Sequence, residues 1–398
     1  MKNRTFIQPA ERTEQVQEYY FSQKLQQIEG MRQKGIQVIN LGIGSPDLPP
    51  APGVREALSQ ASNQAANHGY QSYTGIPALR EAFSSWYETY FGVKLDPSGE
   101  ILPLMGSKEG IMHISMAFVN PGDEVLIPDP GYPAYESVTR LIGGKVRLYD
   151  LQEENDWLPD LDRLQEEGLE KVKLMWINYP NMPSGTRGTA AFFSEITAFA
   201  KRNHILLCND NPYSFILNTE TQSLLAAEGA METALELNSL SKSHNMAGWR
   251  IGMVAGNREY ISAILRVKSN MDSGMFRPLQ EAAVEALNAP GSWYDMLNST
   301  YLRRRKIAEE IMPALGCTFE KQQSGLFLWG KIPQNLVSAE ELAGQLLQDA
   351  HVFITPGFIF GSNGKRHIRI SLCSKEALLA EALERIYLWQ DNGLRRSA

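Results

Sequence analysis

Residues 234–256 read A-L-E-L-N-S-L-S-K-S-H-N-M-A-G-W-R-I-G-M-V-A-G. Two short apolar runs, 234–240 and 249–256, enclose serines and Lys242, and Arg250 lies at the start of the second run. The first run has the length of a buried strand, which places Lys242 at an interior strand end. Taken alone, that lysine has two readings. Its stem can lie along apolar surface with the ammonium in water. Alternatively, it is an amine that sheds its proton to attack a carbonyl as a Schiff-base lysine. Burial and a nearby cation such as Arg250 would then depress its pKa.

Outward from this stretch, the same texture repeats. Apolar runs at 101–105, 124–128, 145–150, 172–178 and 204–210 join the two already named. Helical patterns at 109–119, 133–142, 190–202 and 257–269 separate most of them. The alternation predicts an α/β fold, a mostly parallel seven-stranded sheet flanked by helices. Ligands of such sheets bind beyond the carboxyl ends of the strands. Polar clusters sit there: G-S-K-E-G (106–110), N-Y-P-N-M-P-S-G (178–185), D-N-P-Y (210–213) and S-L-S-K (239–242).

The ends of the chain read differently. Helices are expected over 13–35, with Tyr19, Tyr20, Phe21, Leu25 and Ile28 as apolar positions, and over 75–92. Between them I-N-L-G-I-G-S-P-D-L-P-P (39–50) breaks any regular element. Beyond about 290 follow a long helix (292–314), strands at 325–330 and 367–372, and helices at 338–349 and 375–391. The expected organisation is a large domain over 51–289, a smaller α+β domain over 290–398, and an N-terminal segment, 1–50, packing with the latter.

Composition narrows the function. The 398 residues suffice for two domains sharing a cleft. A net charge of −7 argues against a general nucleic-acid or anionic-membrane binder. The three cysteines, Cys208, Cys317 and Cys373, are widely spaced, which suits a reducing compartment and indicates neither a disulfide framework nor a metal site. The opening M-K-N-R-T-F-I-Q lacks an apolar signal core, and no run of about 20 apolar residues occurs, so a soluble cytoplasmic protein is expected.

The motif S-x-S-K-x-x-x-M-x-G-x-R-x-G (239–252) resembles the lysine signature of the class I/II, fold type I pyridoxal-phosphate aminotransferases, the aspartate-aminotransferase-like family. Further segments resemble that family in the same order, from about residue 20 to 390. They are L-G-I-G-S-P-D (41–47), Y-Q-S-Y-T-G-I-P-A-L-R (70–80), G-S-K-E-G, D-P-G-Y-P-A-Y (129–135), Y-P-N-M-P-S-G, D-N-P-Y and T-P-G-F-I-F-G…R-I-S-L (355–372). The resemblance implies pyridoxal 5'-phosphate as cofactor and a role for each residue type. Asp210 would face the pyridine nitrogen; from spacing alone it is equally a helix N-cap. Tyr213 would donate to the phenolate oxygen, or is a half-buried aromatic. Tyr132 would stack on the ring. Backbone N–H groups of Gly106, Ser107 and Lys108 open a helix and would hold the phosphate, together with Ser239, Ser241 and Arg250. Tyr70 would reach the phosphate of a second subunit, which implies a homodimer with composite sites; its plain alternative is packing. Arg369, on an apolar strand, would fork the substrate carboxylate beside Gly44, or serve a structural ion pair. Arg277, in the 269–277 segment, is a weaker candidate for a side-chain-specific cation.

One position departs from the family pattern. Met182 stands where asparagine usually donates to the phenolate oxygen, and a thioether cannot donate. Asn181 is one residue off. The reading is an amino acid aminotransferase that moves an amino group between an α-amino acid and a 2-oxo acid, with Lys242 as the Schiff-base lysine. β-Elimination on the same cofactor and a non-catalytic binding or regulatory protein are its alternatives. A nicotinamide dehydrogenase is excluded, because no strand–GxGxxG–helix unit is present.

Overall fold

The structure is a computed structural model that describes residues 7–16, 18 and 20–397. Seven strands form one sheet: β1 (Ile101–Leu104), β2 (Glu124–Asp129), β3 (Lys145–Asp150), β4 (Val172–Ile177), β5 (Leu206–Asp210), β6 (Ala234–Ser239) and β7 (Gly252–Gly256). Their order is β1-β7-β6-β5-β4-β2-β3. Every pairing from β6 through β3 is parallel, and β7 runs antiparallel to both β1 and β6. All seven expected strands are found, each within three residues of its expected ends.

The central strands are apolar on both faces because helices cover both. On one face Leu235 and Leu237 of β6 pack with Ile111 and Ile114 of helix Ser107–Phe118 and Ile261 and Ile264 of helix Arg258–Lys268. On the other, Phe192, Phe193 and Ile196 of helix Ala190–Arg202 pack on Met175 and Leu207. Burying each such side chain contributes roughly 1.5–3 kcal/mol.

A second, antiparallel sheet runs Thr355–Pro356, His367–Ser371, Phe327–Lys331, Thr318–Phe319, and sets Arg369 opposite Trp329 and Thr355. Residues Ile39–Asn40 pair in parallel with Val352–Phe353. The chain from 41 to 47 is then tied across to C-terminal residues. Ser371 N donates to Leu41 O at 2.7 Å, and Arg304 forks Asp47 at 2.6 and 2.9 Å. These ties hold the early glycine-rich loop over the strand ends.

Three features differ from expectation. The helix expected from residue 13 is instead a 3-10 turn at Glu11–Thr13 followed by a helix over Tyr20–Gln33; Tyr19 lies outside the described residues. Helices Pro52–Ser62 and Arg277–Leu287 were not anticipated, and they pack on each other. The helix expected over 338–349 is α only to Gln345 and closes in a wider turn, Leu346–Ala350.

Candidate active site

The four polar clusters do meet. Together with the 43–45 loop and the second sheet they line a cavity of about 300 Å³ beyond the carboxyl ends of the parallel strands. Lys242 lies in a single helical turn directly after β6. Its Nζ donates to Gly44 O at 2.6 Å. Burial lowers its pKa; among its neighbours Cys373 opposes that shift, and Arg369 and then Arg250 reinforce it. Arg250 alone was expected to be the depressing cation; Arg369 contributes more.

Asp210 ends β5 and is buried. No helix follows it, so the N-cap reading falls. Burial raises its carboxyl from 3.8 to about 7; the Tyr135 hydroxyl works against that shift, and the buried Glu236 adds to it. Tyr135 Oη donates to Asp210 Oδ2 at 3.1 Å, while Oδ1 is left without a hydrogen-bond partner of good geometry. Glu236, one strand over, accepts from Tyr87, Asn209, Ser223 and the Leu224 N–H at 2.7–2.9 Å.

At the other end of the cavity, helix Ser107–Phe118 begins at Gly106 with no side-chain cap. Gly106 has φ +89°, and a Cβ there would fall 2.1 Å from Arg250 Nη2. Glycine therefore lets the guanidinium lie against the helix start. Arg250 Nη1 is bonded to Ala247 O at 2.8 Å and approaches Ser241 Oγ at 3.5 Å. Ser107, Lys108, Ser239 and Ser241 line the same end.

Arg369 closes the remaining side. Its Nη2 donates to Gly42 O at 2.9 Å, and Nη1 lies 3.1 Å from Met182 Sδ. Phe327, Phe360 and Phe21 surround its guanidinium at 3.8, 4.6 and 5.6 Å. Gly44 packs so tightly that a Cβ would meet the Phe327 ring at 2.2 Å. Tyr132 and the buried Tyr213 also line the cavity. Asn181 faces away from it; its Oδ1 accepts from Ser184 N and Oγ at 3.2 and 2.7 Å and shapes the turn.

A family follows from this arrangement and from likeness to known proteins. Residues 36–386 match the aminotransferase class I and II family. The chain belongs to the class I and II aminotransferases. It is 40% identical over 370 residues to the LL-diaminopimelate aminotransferase of Aquifex aeolicus, covering 92% of this chain and 95% of that one. A similar match, 40% over 379 residues, covers 95% and 97% with the LL-diaminopimelate aminotransferase of Dehalococcoides mccartyi. Among solved structures, apo-BacF from Bacillus subtilis superposes with a TM-score of 0.92 at 37% identity, covering 96% and 98%. A mutant Thermus thermophilus aspartate aminotransferase superposes at 0.89 and 26%, covering 96% and 100%.

This aminotransferase is thus a fold type I, pyridoxal-phosphate-dependent amino acid aminotransferase. Its residues fit the cofactor. A phosphate matches the uncapped helix start, the hydroxyls and Arg250; a pyridine nitrogen matches the buried carboxylate with an unsatisfied oxygen.

Two expected residues lie away from this cavity within the chain. Tyr70 is 94% exposed, and Arg277 starts a helix where it pairs with Glu281 at 2.7 Å. Conversely, Tyr135, Asn178 and the three phenylalanines around Arg369 were missed. Asn178 Oδ1 accepts from Met182 N at 2.8 Å, and its Nδ2 donates to the Asp210 carbonyl. Tyr135, Asn178 and Phe360 are signalled only by position within a motif already quoted, as with Tyr135 in D-P-G-Y-P-A-Y, and Phe21 and Phe327 lie outside all of those motifs. Away from the cavity, Glu109, His113 and Asp272 bring metal-capable atoms within 4.8 Å, but the buried Lys268 ammonium sits 2.8 Å from Asp272 Oδ2.

Proposed function

We propose that this aminotransferase carries its cofactor on Lys242 and binds amino acid and oxo acid substrates through Arg369. The supporting observation is one cavity that joins a buried amine of lowered pKa, a buried carboxylate and two guanidinium groups at opposite sides. Pyridoxal phosphate supplies, when bound, an electrophilic carbon and an electron sink. Gly106, Ser107 and Lys108, with Ser239, Ser241 and Arg250, hold its phosphate. Asp210, steered by Tyr135, holds a proton at the pyridine nitrogen. Tyr213 donates to the ring oxygen, and Tyr132 covers the ring face. Arg369 and the Gly44 backbone orient the substrate carboxylate. Lys242, whose pKa burial lowers, would act as the general base that takes the proton from the substrate Cα.

For the donor, the relatives named for LL-diaminopimelate make that amino acid the first to assay. A second reading has its own support. Phe21, Phe327, Phe360 and Ile43 line the cavity, and Asp210 is the one acidic side chain that does so among the described residues. Such a wall favours an apolar or aromatic side chain over a second charged centre. A donor panel decides: diaminopimelate turned over far faster than phenylalanine or leucine removes the second reading. Borohydride reduction of the loaded protein should leave cofactor mass on the Lys242 peptide. A label elsewhere, or no cofactor uptake, removes the first.

We further infer a homodimer in which the exposed Tyr70 serves the partner's phosphate. Mixed dimers of Tyr70→Phe and Lys242→Ala chains should retain about one intact site; loss of both sites' activity would refute sharing. The division at about 50 and 290 and a cytoplasmic, reducing location complete the proposal. The location is consistent with three buried free thiols. No described helix is long and apolar enough to cross a membrane. Limited proteolysis and cell fractionation test these two points.

A further inference from the structure

Asp129 ends β2, three residues before Tyr132, and is buried. Its carboxylate is occupied by a turn more than 230 residues away in the chain. Oδ2 accepts from Ser362 N at 2.9 Å and Ser362 Oγ at 2.6 Å, and Oδ1 accepts from Asn363 N at 3.0 Å. Asn363 Nδ2 donates back to the Asp129 carbonyl at 3.0 Å and to Asp150 Oδ1 at 2.8 Å. Gly131 N donates to Phe360 O at 2.7 Å. Gly361, at φ +140°, leaves room for this; a Cβ would lie 2.1 Å from Asp129 Oδ1.

The fastened turn carries Phe360, whose ring is 4.6 Å from the Arg369 guanidinium carbon. Phe360 and Tyr132 line the active-site cavity on one side. On the other side they line a second cavity of about 320 Å³, whose walls include Leu148, Phe358, Gly361 and Ser362. A ring with a void behind it is not held by close packing from that side. Besides the edge contact with Trp329, what fixes it is the hydrogen-bonded turn, and the Asp129 carboxylate takes three of the bonds that fasten that turn.

We propose that Asp129 is a positioning residue for amino acid binding. Through the Ser362–Asn363 turn it holds Phe360 against Arg369, and so sets the affinity of the carboxylate end without touching substrate or cofactor. The proposal rests on the reading of Arg369 as the carboxylate anchor. The conservative test is Asp129→Asn in the holoenzyme. Both native oxygens accept from N–H groups, so either amide orientation sets an NH₂ against a donor. The dissociation constant of the amino acid donor, read from the change in the visible band, should rise about tenfold, as for loss of one charge-assisted hydrogen bond. The cofactor dissociation constant should stay within about twofold, which general loosening of the fold would not allow. Phe360→Leu should raise the donor constant similarly, and the double variant should be no worse than the worse single one. Ser362→Ala, which deletes one of the three donors and keeps the backbone, should shift the donor constant in the same direction by less; it stands in if Asp129→Asn does not fold. Unchanged donor affinity in these variants, strictly additive effects, or parallel loss of cofactor would overturn the proposal. Arg369→Lys separates the two readings. If it leaves donor affinity intact, the anchor reading fails. If it weakens binding while Asp129→Asn does not, only the positioning role fails.

Discussion

The two ends of the cleft are built in different ways. The proposed cofactor end stands on the sheet: Asp210 and Ser239 end adjacent parallel strands, Ser107 opens a helix right after β1, and Lys242 follows β6 by three residues. The strands that end at Asp210 and Ser239 are hydrogen-bonded to neighbours on both sides, and Ser107 and Lys242 follow their strands by three residues. The proposed carboxylate end is assembled from distant pieces. Gly42 and Gly44 come from the N-terminal loop, Met182 from the turn after β4, Phe360 and Arg369 from the second sheet and its approach. Rigid strands suit a cofactor that stays through every cycle. A joint between remote segments suits a substrate that must enter and leave, since such joints open at lower cost than a sheet core.

The contrast can be broken most decisively at Lys242. Lys242→Ala should lower turnover by about 10,000-fold, the upper range for losing a general acid–base group, while the folded protein still binds pyridoxal phosphate through its phosphate end. Retained turnover would remove the lysine from the chemistry. At the opposite end, Arg369→Lys keeps the charge and loses the planar fork. It should weaken donor binding by roughly 1.5–3 kcal/mol and leave cofactor content normal. Loss of cofactor in that variant would mean that the two ends are not separable.

A subtler difference concerns pH in the cofactor-free protein. The folded protein holds the Asp210 proton up to about pH 7, whereas the unfolded chain releases it near 3.8. The folded state therefore binds more protons over that interval, and its stability falls as pH rises through it. Denaturant midpoints of the apoprotein should decline between about pH 4 and 7 relative to Asp210→Asn, whose amide does not titrate. Identical pH profiles for the two proteins would show that burial does not raise this carboxyl. The smallest effect is expected at Met182, whose sulfur touches Arg369. Met182→Leu removes a weak acceptor at nearly constant volume and should change the donor KM by about threefold or less. An unmoved pH titration of the visible band would assign Met182 to the carboxylate end; a moved one would assign it to the ring.

Much of this is legible in the sequence. The seven strands follow from apolar runs of strand length separated by helical patterns, because burial on both faces leaves that mark locally. Lys242, Asp210 and Arg250 stand out because polar groups directly after apolar runs fall at strand ends. Helix Pro52–Ser62 was missed for the same local reason in reverse: its buried residues, Val54 and Ala61, make a thin apolar stripe. The early helix begins at Tyr20 and not at 13, because the periodicity around Tyr20 does not reach back to Thr13, which closes a 3-10 turn.

By itself, then, the sequence determined the strand succession and the chemistry waiting at each strand end, since both are written in spacings of a few residues. Only the tertiary structure decided that Tyr135 steers Asp210, that three phenylalanines and a methionine wrap Arg369, and that Asp129 fastens the turn carrying Phe360. It also shifted the acidities, raising the pKa of Asp210 and lowering that of Lys242. The physical reason is that periodicity is a local property of the chain, whereas desolvation and hydrogen-bond geometry depend on atoms brought together from segments hundreds of residues apart.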